Sequence, residues 1–415
     1  MADVTGLKLL LPGGARADGT DGAASVLRGH SRLEPLPCLQ CGGAHVGARF
    51  AGADAPPLAE MGIDPRLLGT LGPAARYAFA AGLLLLEELR LLGREGGWAL
   101  PPALQDGSGV IFASSLAQGE TRPSEGGGPL LPYLLGAGVQ LAQLIQARGP
   151  NCMTSATCAS SLVALKMAHN FLAAGDADRI LVIAADLPLH MPWVVSEFLR
   201  IKAASAAGED EVVPPFGAKR NGFVFGEGAL AILVERRGGE RPPLARIADM
   251  GIGNSAFHGT RIDPRHVATV IEKVVKRVAF AENISLAAFA SGAIYIAHAS
   301  GTALCESAEI DALERVFGRE ALRRIAITGT KRLTGHCMSV GIEDAVAVAG
   351  LAAGVFPGTP VDGLDPQFGD LLFHAGGPSE RRYVMRLSLG FGSQVVFVVY
   401  SRGLLAARAA SGPAI

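Results

Sequence analysis

Apolar residues along the chain fall into two kinds of run. Short β-branched runs, such as Ile180–Ala185 (ILVIAA) and the ALAILVE stretch inside Phe223–Glu235, lack polar alternation and read as strands buried on both faces. Longer runs read as helices. Ala74–Leu92 is one, stopped near Gly93, and Leu130–Arg148 is another, closed by Gly149-Pro150. Leu162–Ala174 is a third, with Gly175 as its C-terminal stop. Further strands are expected at Gly109–Ser114, Ala293–Ala297 and Ile325–Thr328, and further helices at Val267–Ala281, Ser307–Phe317 and Ile342–Ala353. Near the end, Arg386–Leu389, Gly390-Phe391-Gly392 and Val395–Tyr400 read as strand, tight turn, strand. Residues 1–60 are turn-rich and give no clear element. Buried strands alternating with helices predict an α/β fold with a mostly buried sheet.

Composition narrows the class. A length of 415 residues suits two or three folding units at about 100–200 residues each. Apolar residues make up 49%, which argues against intrinsic disorder. Glycine, 54 residues without a fixed period, excludes collagen and suits tight turns and close backbone approaches. A net charge of −1 gives no electrostatic case for binding nucleic acid or an anionic membrane. The uncharged stretch from Gly126 to Ala147 is broken by Pro129, Pro132, Gln140, Gln143 and Gln146, so no membrane span is expected. The opening MADVTGLKLLLPGG lacks the pattern of a signal peptide, and six cysteines then read as reduced cytoplasmic thiols. Cys38 and Cys41 form a lone CxxC without the second pair a structural zinc site needs, so no metal is expected.

Three residues carry candidate chemistry, each in a turn beside a strand end or helix start. Cys158 sits among small residues in TSATCASS, where a substrate has room to approach the backbone. A helix starting just after it would place N–H groups and the positive end of the dipole near the sulfur, favouring thiolate and an oxyanion. His298 follows the strand AIYIA directly, and His336 lies in the loop KRLTGHCMSVG, five residues after Lys331. Two neutral imidazoles facing a thiolate suit the stabilisation of an enolate oxygen. Taken singly, each has a blander reading: a buried cysteine is usually an inert small hydrophobe, and a histidine often only caps or packs.

Five blocks in order resolve that choice. Thr154–Leu165 (TSATCASSLVAL), Pro215–Ala229 (PFGAKRNGFVFGEGA), His298–Thr302 (HASGT), Lys331–His336 (KRLTGH) and Gly390–Gly392 (GFG) resemble the nucleophile block, PFDxxRDGFVxGEGA, HGTGT, KSxxGH and glycine turn of the elongating β-ketoacyl synthases of the thiolase superfamily. Val4–Gly13 is faintly similar to their first strand. The resemblance implies a five-layered αβαβα thiolase fold of two related halves, here residues 1–245 and 246–415. It implies Cys158 as the acyl-accepting nucleophile, with His298 and His336 stabilising the enolate left when a malonyl thioester loses carbon dioxide. Lys331 would support the pocket electrostatically. The backbone N–H groups of Cys158 and Phe391 would form the oxyanion hole. Ser300 and Thr302 would contact phosphopantetheine, and Glu309, Gly390 and Gly392 would have supporting roles. No cofactor is implied beyond phosphopantetheine-borne substrates, presented by an acyl carrier protein or CoA.

The expected protein is a stand-alone, cytoplasmic, homodimeric β-ketoacyl synthase of fatty-acid or, preferably, specialised polyketide-type biosynthesis. Departures from the family pattern motivate that preference: Gly217 and Asn221 replace aspartates, Ala299 replaces a glycine, Cys305-Glu306 replaces Gly-Asp, and Ser393, Gln394 and Val395 follow the GFG turn. Ala299 would narrow the pantetheine channel. Met191, Trp193, Phe198 and Phe225 are candidates to line an acyl tunnel. Two alternatives keep the fold: an acyltransferase or non-decarboxylating condensing enzyme, and a chain-length-setting subunit in a heterodimer with a paralogous synthase. Such subunits usually lack the cysteine, so Cys158 argues against the second. Gly29–Leu33 (GHSRL) starts like an acyltransferase GHSxG but lacks the last glycine and a preceding buried strand.

Overall fold

A computed structural model of the chain describes residues 2–13, 22–37, 44–51, 56, 58–92, 97–115, 131–207 and 213–402. Cys38 and Cys41 lie outside them. Ten strands form one mixed sheet: β1 (Ala2–Leu10), β2 (Ser108–Ala113), β3 (Asn151–Thr154), β4 (Arg179–Asp186), β5 (Gly228–Arg236), β6 (Ala245–Asn254), β7 (Ala293–Ile296), β8 (Ala326–Thr328), β9 (Tyr383–Gly390) and β10 (Gln394–Ser401). Their spatial order is β8-β7-β9-β10-β6-β1-β5-β4-β2-β3.

This sheet is two copies of one pattern. In the first five strands, β3, β2 and β4 run parallel, then β5 and β1 add antiparallel. In the second, β8, β7 and β9 run parallel, then β10 and β6 add antiparallel. The copies meet where Ala2–Val4 of β1 pairs with β6.

Strand alternation builds the layers. Val110 and Phe112 of β2 face outward to helices α1 (Pro73–Glu88) and α2 (Leu131–Ile145). Ile111 and Ala113 face inward to α3 (Ser160–Ala174), which shares the central layer with α6 (Ile342–Ala353). In the second copy, Val384 of β9 faces that central layer, while Met385, Leu387 and Leu389 face the outer helices α4 (Pro264–Ala281) and α5 (Ala303–Leu322). The result is the expected αβαβα stack of two related halves.

The differences from the sequence reading have local causes. Helix α2 breaks at Gly136, whose φ of 57° is outside the helical region, and α5 passes a similar break at Gly318 rather than stopping there. The segment read as a loop from Lys331 begins with a helical turn, Lys331–Thr334. A helix at Pro192–Arg200 and strand β6 had no clear sequence signal; β6 is half-exposed and polar-interrupted. Within the opening residues, Glu34–Pro37 and Ala44–Ala48 pair with each other, and the latter with Phe225–Gly226, as a small second sheet. The GHSRL segment follows a six-residue helix, Gly22–Leu27, and its Ser31 is exposed rather than held at a strand-to-helix turn. Among the described residues no helix is long and apolar enough to cross a membrane.

Candidate active site

Cys158 lies two residues before α3, in the loop leaving β3. Thr157 beside it has φ 51°, an unusual conformation for a residue with a side chain. The loop is held by several bonds: Ser160 Oγ donates to the Thr157 carbonyl at 2.6 Å, Ser115 Oγ donates to the same carbonyl at 3.0 Å, and Ser388 Oγ of β9 donates to the Cys158 carbonyl at 2.8 Å. The Gly390–Gly392 turn closes on this loop from the other half. A Cβ at Gly390 would lie 2.5 Å from Thr157 Oγ1 and 2.7 Å from the Ala156 carbonyl oxygen, so only glycine permits the approach.

His336 Nε2 is 3.1 Å from Cys158 Sγ across 178 residues of chain. The PFGAKRNGFVFGEGA block explains its position: the His336 amide donates to the Val224 carbonyl at 2.7 Å, and the Gly226 amide to the His336 carbonyl at 3.1 Å. The Phe223 ring stands edge-on to the imidazole, with centroids 5.0 Å apart. The His298 ring is nearly perpendicular to that of His336 at 5.6 Å. Glu309 fixes the His298 backbone by accepting the His298 and Ala299 amides at 2.5 and 3.0 Å, together with the Tyr295 hydroxyl.

Behind the histidines, Lys331 Nζ donates to the His298 carbonyl at 2.5 Å and pairs with Glu343. Cys158, His298, His336, Glu309, Lys331 and Glu343 are all buried. Burial, reinforced by the Lys331 charge, holds His336 down at about 3 and His298 well below its usual value, so both imidazoles are neutral at pH 7. Burial also pushes the Cys158 thiol up to about 12, against the pull of Lys331. Here the sequence expectation needs correction. The helix start does favour thiolate, but desolvation outweighs it, and the resting pair is thiol and neutral imidazole.

Cys158, His298, His336, Ser300, Thr302, Gly390 and Phe391 all line one cavity of about 780 Å³. The Ser300 and Thr302 hydroxyls are 3.1 Å apart on its wall. Ala299 does not line it. Its methyl is buried in the outer core of the second half, and the substitution is felt instead as a backbone φ of 36°. Met191, Phe198 and Phe225 pack in an apolar cluster behind Phe223, none of them on the cavity wall, while Trp193 is half-exposed and outside it.

Several residues had escaped the sequence reading. Glu306, at a departed position, accepts the Phe216 and Gly301 amides at 2.9 and 2.6 Å and pairs with Arg220 at 2.7 Å. Arg220 also reaches Asp365 at 2.8 Å. Asp186 accepts Ser114 Oγ at 2.8 Å, Ser115 N at 3.2 Å, Ser339 N at 3.0 Å and Ser339 Oγ at 2.5 Å, joining the loop after β2 to the loop after His336. Glu343, Asp344 and Arg386 form a buried charged group beside Lys331. Their one sequence signal is charge inside apolar runs: IEDAVAVAG and VMRLSLG.

A cysteine and two neutral histidines from both halves of a doubled αβαβα fold thus converge on one cavity. The chain belongs to the β-ketoacyl synthase family: the family's N-terminal domain model matches residues 4–238 and its C-terminal domain model residues 244–359. It is 31% identical to the actinorhodin polyketide putative β-ketoacyl synthase 1 of Streptomyces coelicolor, over 74% of this chain and 69% of that one. It is 27% identical to the tetracenomycin ketoacyl synthase alpha subunit of Streptomyces glaucescens, over 94% and 93% of the two chains. Among solved structures, a β-ketoacyl synthase from Burkholderia phymatum superposes with a TM-score of 0.77 at 22% identity, covering 97% of this chain and 99% of that one. A ketosynthase in complex with its chain length factor from Xenorhabdus doucetiae gives 0.76 at 21% identity, covering 97% and 98%.

Proposed function

We propose that this protein is a decarboxylating condensing enzyme that joins a Cys158-bound acyl chain to a malonyl unit. The observation carrying the reading is the convergence of Cys158 Sγ, His336 Nε2 at 3.1 Å and the His298 ring on one cavity, with both imidazoles neutral. In the first half-reaction Sγ forms a bond to the acyl carbonyl carbon, the incoming thioester's C–S bond breaks, and the thiol proton leaves with the departing thiol. The Cys158 and Phe391 amides would hold the oxyanion, each contributing about 2.7–4 kcal/mol to the barrier.

In the second, the malonyl carboxylate departs as carbon dioxide. Its bonding pair becomes an enolate whose oxygen accepts N–H from His298 and His336. The enolate carbon attacks the acyl carbonyl, the C–Sγ bond breaks, and one proton from solvent restores the thiol. Neutral imidazoles suit this work, because each donates an N–H hydrogen bond to the enolate without giving up its proton and quenching the carbon nucleophile. Ser300 and Thr302 would orient phosphopantetheine on the cavity wall. We assign an acyl carrier protein as the donor's carrier and a homodimer as the working state. Relatives named as polyketide ketosynthases support a specialised pathway.

Intact-protein mass spectrometry after incubation with acyl-carrier-protein and CoA thioesters tests the reading. One acyl mass is expected on the native protein and none on Cys158→Ala; malonyl-carrier protein should then discharge the adduct with release of carbon dioxide. An adduct that transfers to amines or alcohols without carbon dioxide release would favour the acyltransferase alternative. Absence of any adduct would favour a chain-length-setting subunit.

A further inference from the structure

Arg386 is a cation in a place where strand β9 presents core residues. Along that strand Val384, Arg386 and Ser388 face the central layer, while Met385, Leu387 and Leu389 face the outer one. The parallel register with β7 sets Arg386 beside Ile296, two positions before His298. Ser388, two positions after Arg386, holds the Cys158 carbonyl. One strand face thus touches the supports of both halves of the site.

Arg386 is 2% exposed. Its Nη2 is 3.1 Å from Glu343 Oε2, while Lys331 takes Oε1 of the same carboxylate. Its Nε lies 3.9 Å from Asp344 Oδ2, longer than a hydrogen bond, and Asp344 Oδ1 accepts the Tyr400 hydroxyl at 3.0 Å. Arg386 Nε and Nη1 are buried with no hydrogen-bond acceptor among the described residues. A buried guanidinium with unused donors is costly, and a well-packed apolar residue would serve the core better. Its charge therefore has a use elsewhere than in stability.

Glu343 alone would neutralise Lys331 one for one. We propose that Arg386 is a positioning residue for the condensing site: by sharing the Glu343 carboxylate with Lys331, it keeps that carboxylate from cancelling the Lys331 charge at the His298–His336 pair. This rests on the function proposed above for the two imidazoles, as neutral donors to an enolate. The Arg386 charge acts on both rings in the same sense as Lys331, favouring their neutral forms. The other ionisable groups facing the cluster are Tyr295 and Glu309 on the β7 side, Asp344 and Tyr400 on the α6 and β10 side, Cys158 in front and Cys337 next to His336. Burial raises the Asp344 carboxyl to about 6, so above that pH the two cations and two carboxylates of the cluster balance, and below it one positive charge is in excess.

The test is the imidazole titration of ¹⁵N-histidine-labelled full-length protein by NMR between pH 4 and 8, assigned with His298→Ala and His336→Ala. The native protein should show both rings neutral throughout. In Arg386→Met at least one ring should begin to protonate inside that window, moved up by about one pH unit. Arg386→Lys, which keeps the charge, should restore the native titration. If Arg386→Met fails to fold because Asp344 is left without its cation, the double variant Arg386→Met/Asp344→Asn removes both partners and carries the same expectation. Native-like titration in whichever of these variants folds overturns the proposal. Carbon dioxide release from malonyl thioester, measured on the same samples, should lose its acid limb at higher pH in Arg386→Met. If the native protein releases none while its titration still responds to Arg386, the functional reading fails and the electrostatic inference stands.

Discussion

Cys158 shows two local effects in opposition. The start of α3 and the Lys331 charge favour thiolate, yet burial wins and pushes the thiol up to about 12. The resting sulfur is therefore unreactive until a thioester fills the cavity and supplies the carbonyl carbon. Its reaction with a small alkylating agent should follow the thiolate fraction. Peptide-mapped iodoacetamide labelling of Cys158 should rise about tenfold per pH unit from 7 to 9, without a plateau. A plateau below pH 8 would mean that the helix start outweighs burial, as the sequence had suggested.

At the scale of elements, the site is made by loops from two halves forced close together. The Gly390–Gly392 turn presses on the nucleophile loop at a distance that leaves no room for a methyl group. Gly390→Ala should therefore separate the Phe391 amide from Cys158. The expected result is a loss of acylation of roughly a hundredfold, in the range for one misplaced oxyanion donor, with a stability loss of only about 1–3 kcal/mol. Acyl-adduct formation timed by mass spectrometry, beside a denaturant melt, separates the two. A fall in stability with native acylation would remove Phe391 from the oxyanion hole. The elements themselves were largely legible. Helix α6 spans Ile342–Ala353 as the apolar run predicts, and α3 begins only two residues early. Helix α5 was misread because glycine usually stops a helix, while here the chain turns at Gly318 and resumes. Strand β6 was missed because its alternation is diluted by half-exposed polar positions.

For the molecule as a whole, the doubled sheet ends at β3, a four-residue strand whose outer edge pairs with no described strand. Met153 on it is 47% exposed. An open edge beside an exposed apolar side chain is a pairing surface. Native mass spectrometry of the purified protein should give twice the 42.8 kDa chain mass, and a charged substitution, Met153→Asp, should shift it toward the monomer. A native monomer that still condenses would refute the homodimer, and a second, paralogous chain at equal stoichiometry would replace it by a heterodimer.

The sequence by itself carried the alternation of buried strand and helix, through local periodicity, and the candidates Cys158, His298, His336 and Lys331, through short motifs whose residues are neighbours in the chain; the two halves and the place of Glu309 were implied only by the family resemblance. Only the tertiary structure decided what depends on neighbours in space. It brought His336 onto Cys158, gave Arg220 its carboxylates from Glu306 and Asp365, and gathered Lys331, Glu343 and Arg386 from separate elements. Burial decides which proton stays on which group, and burial is a property of the packed layers rather than of any motif.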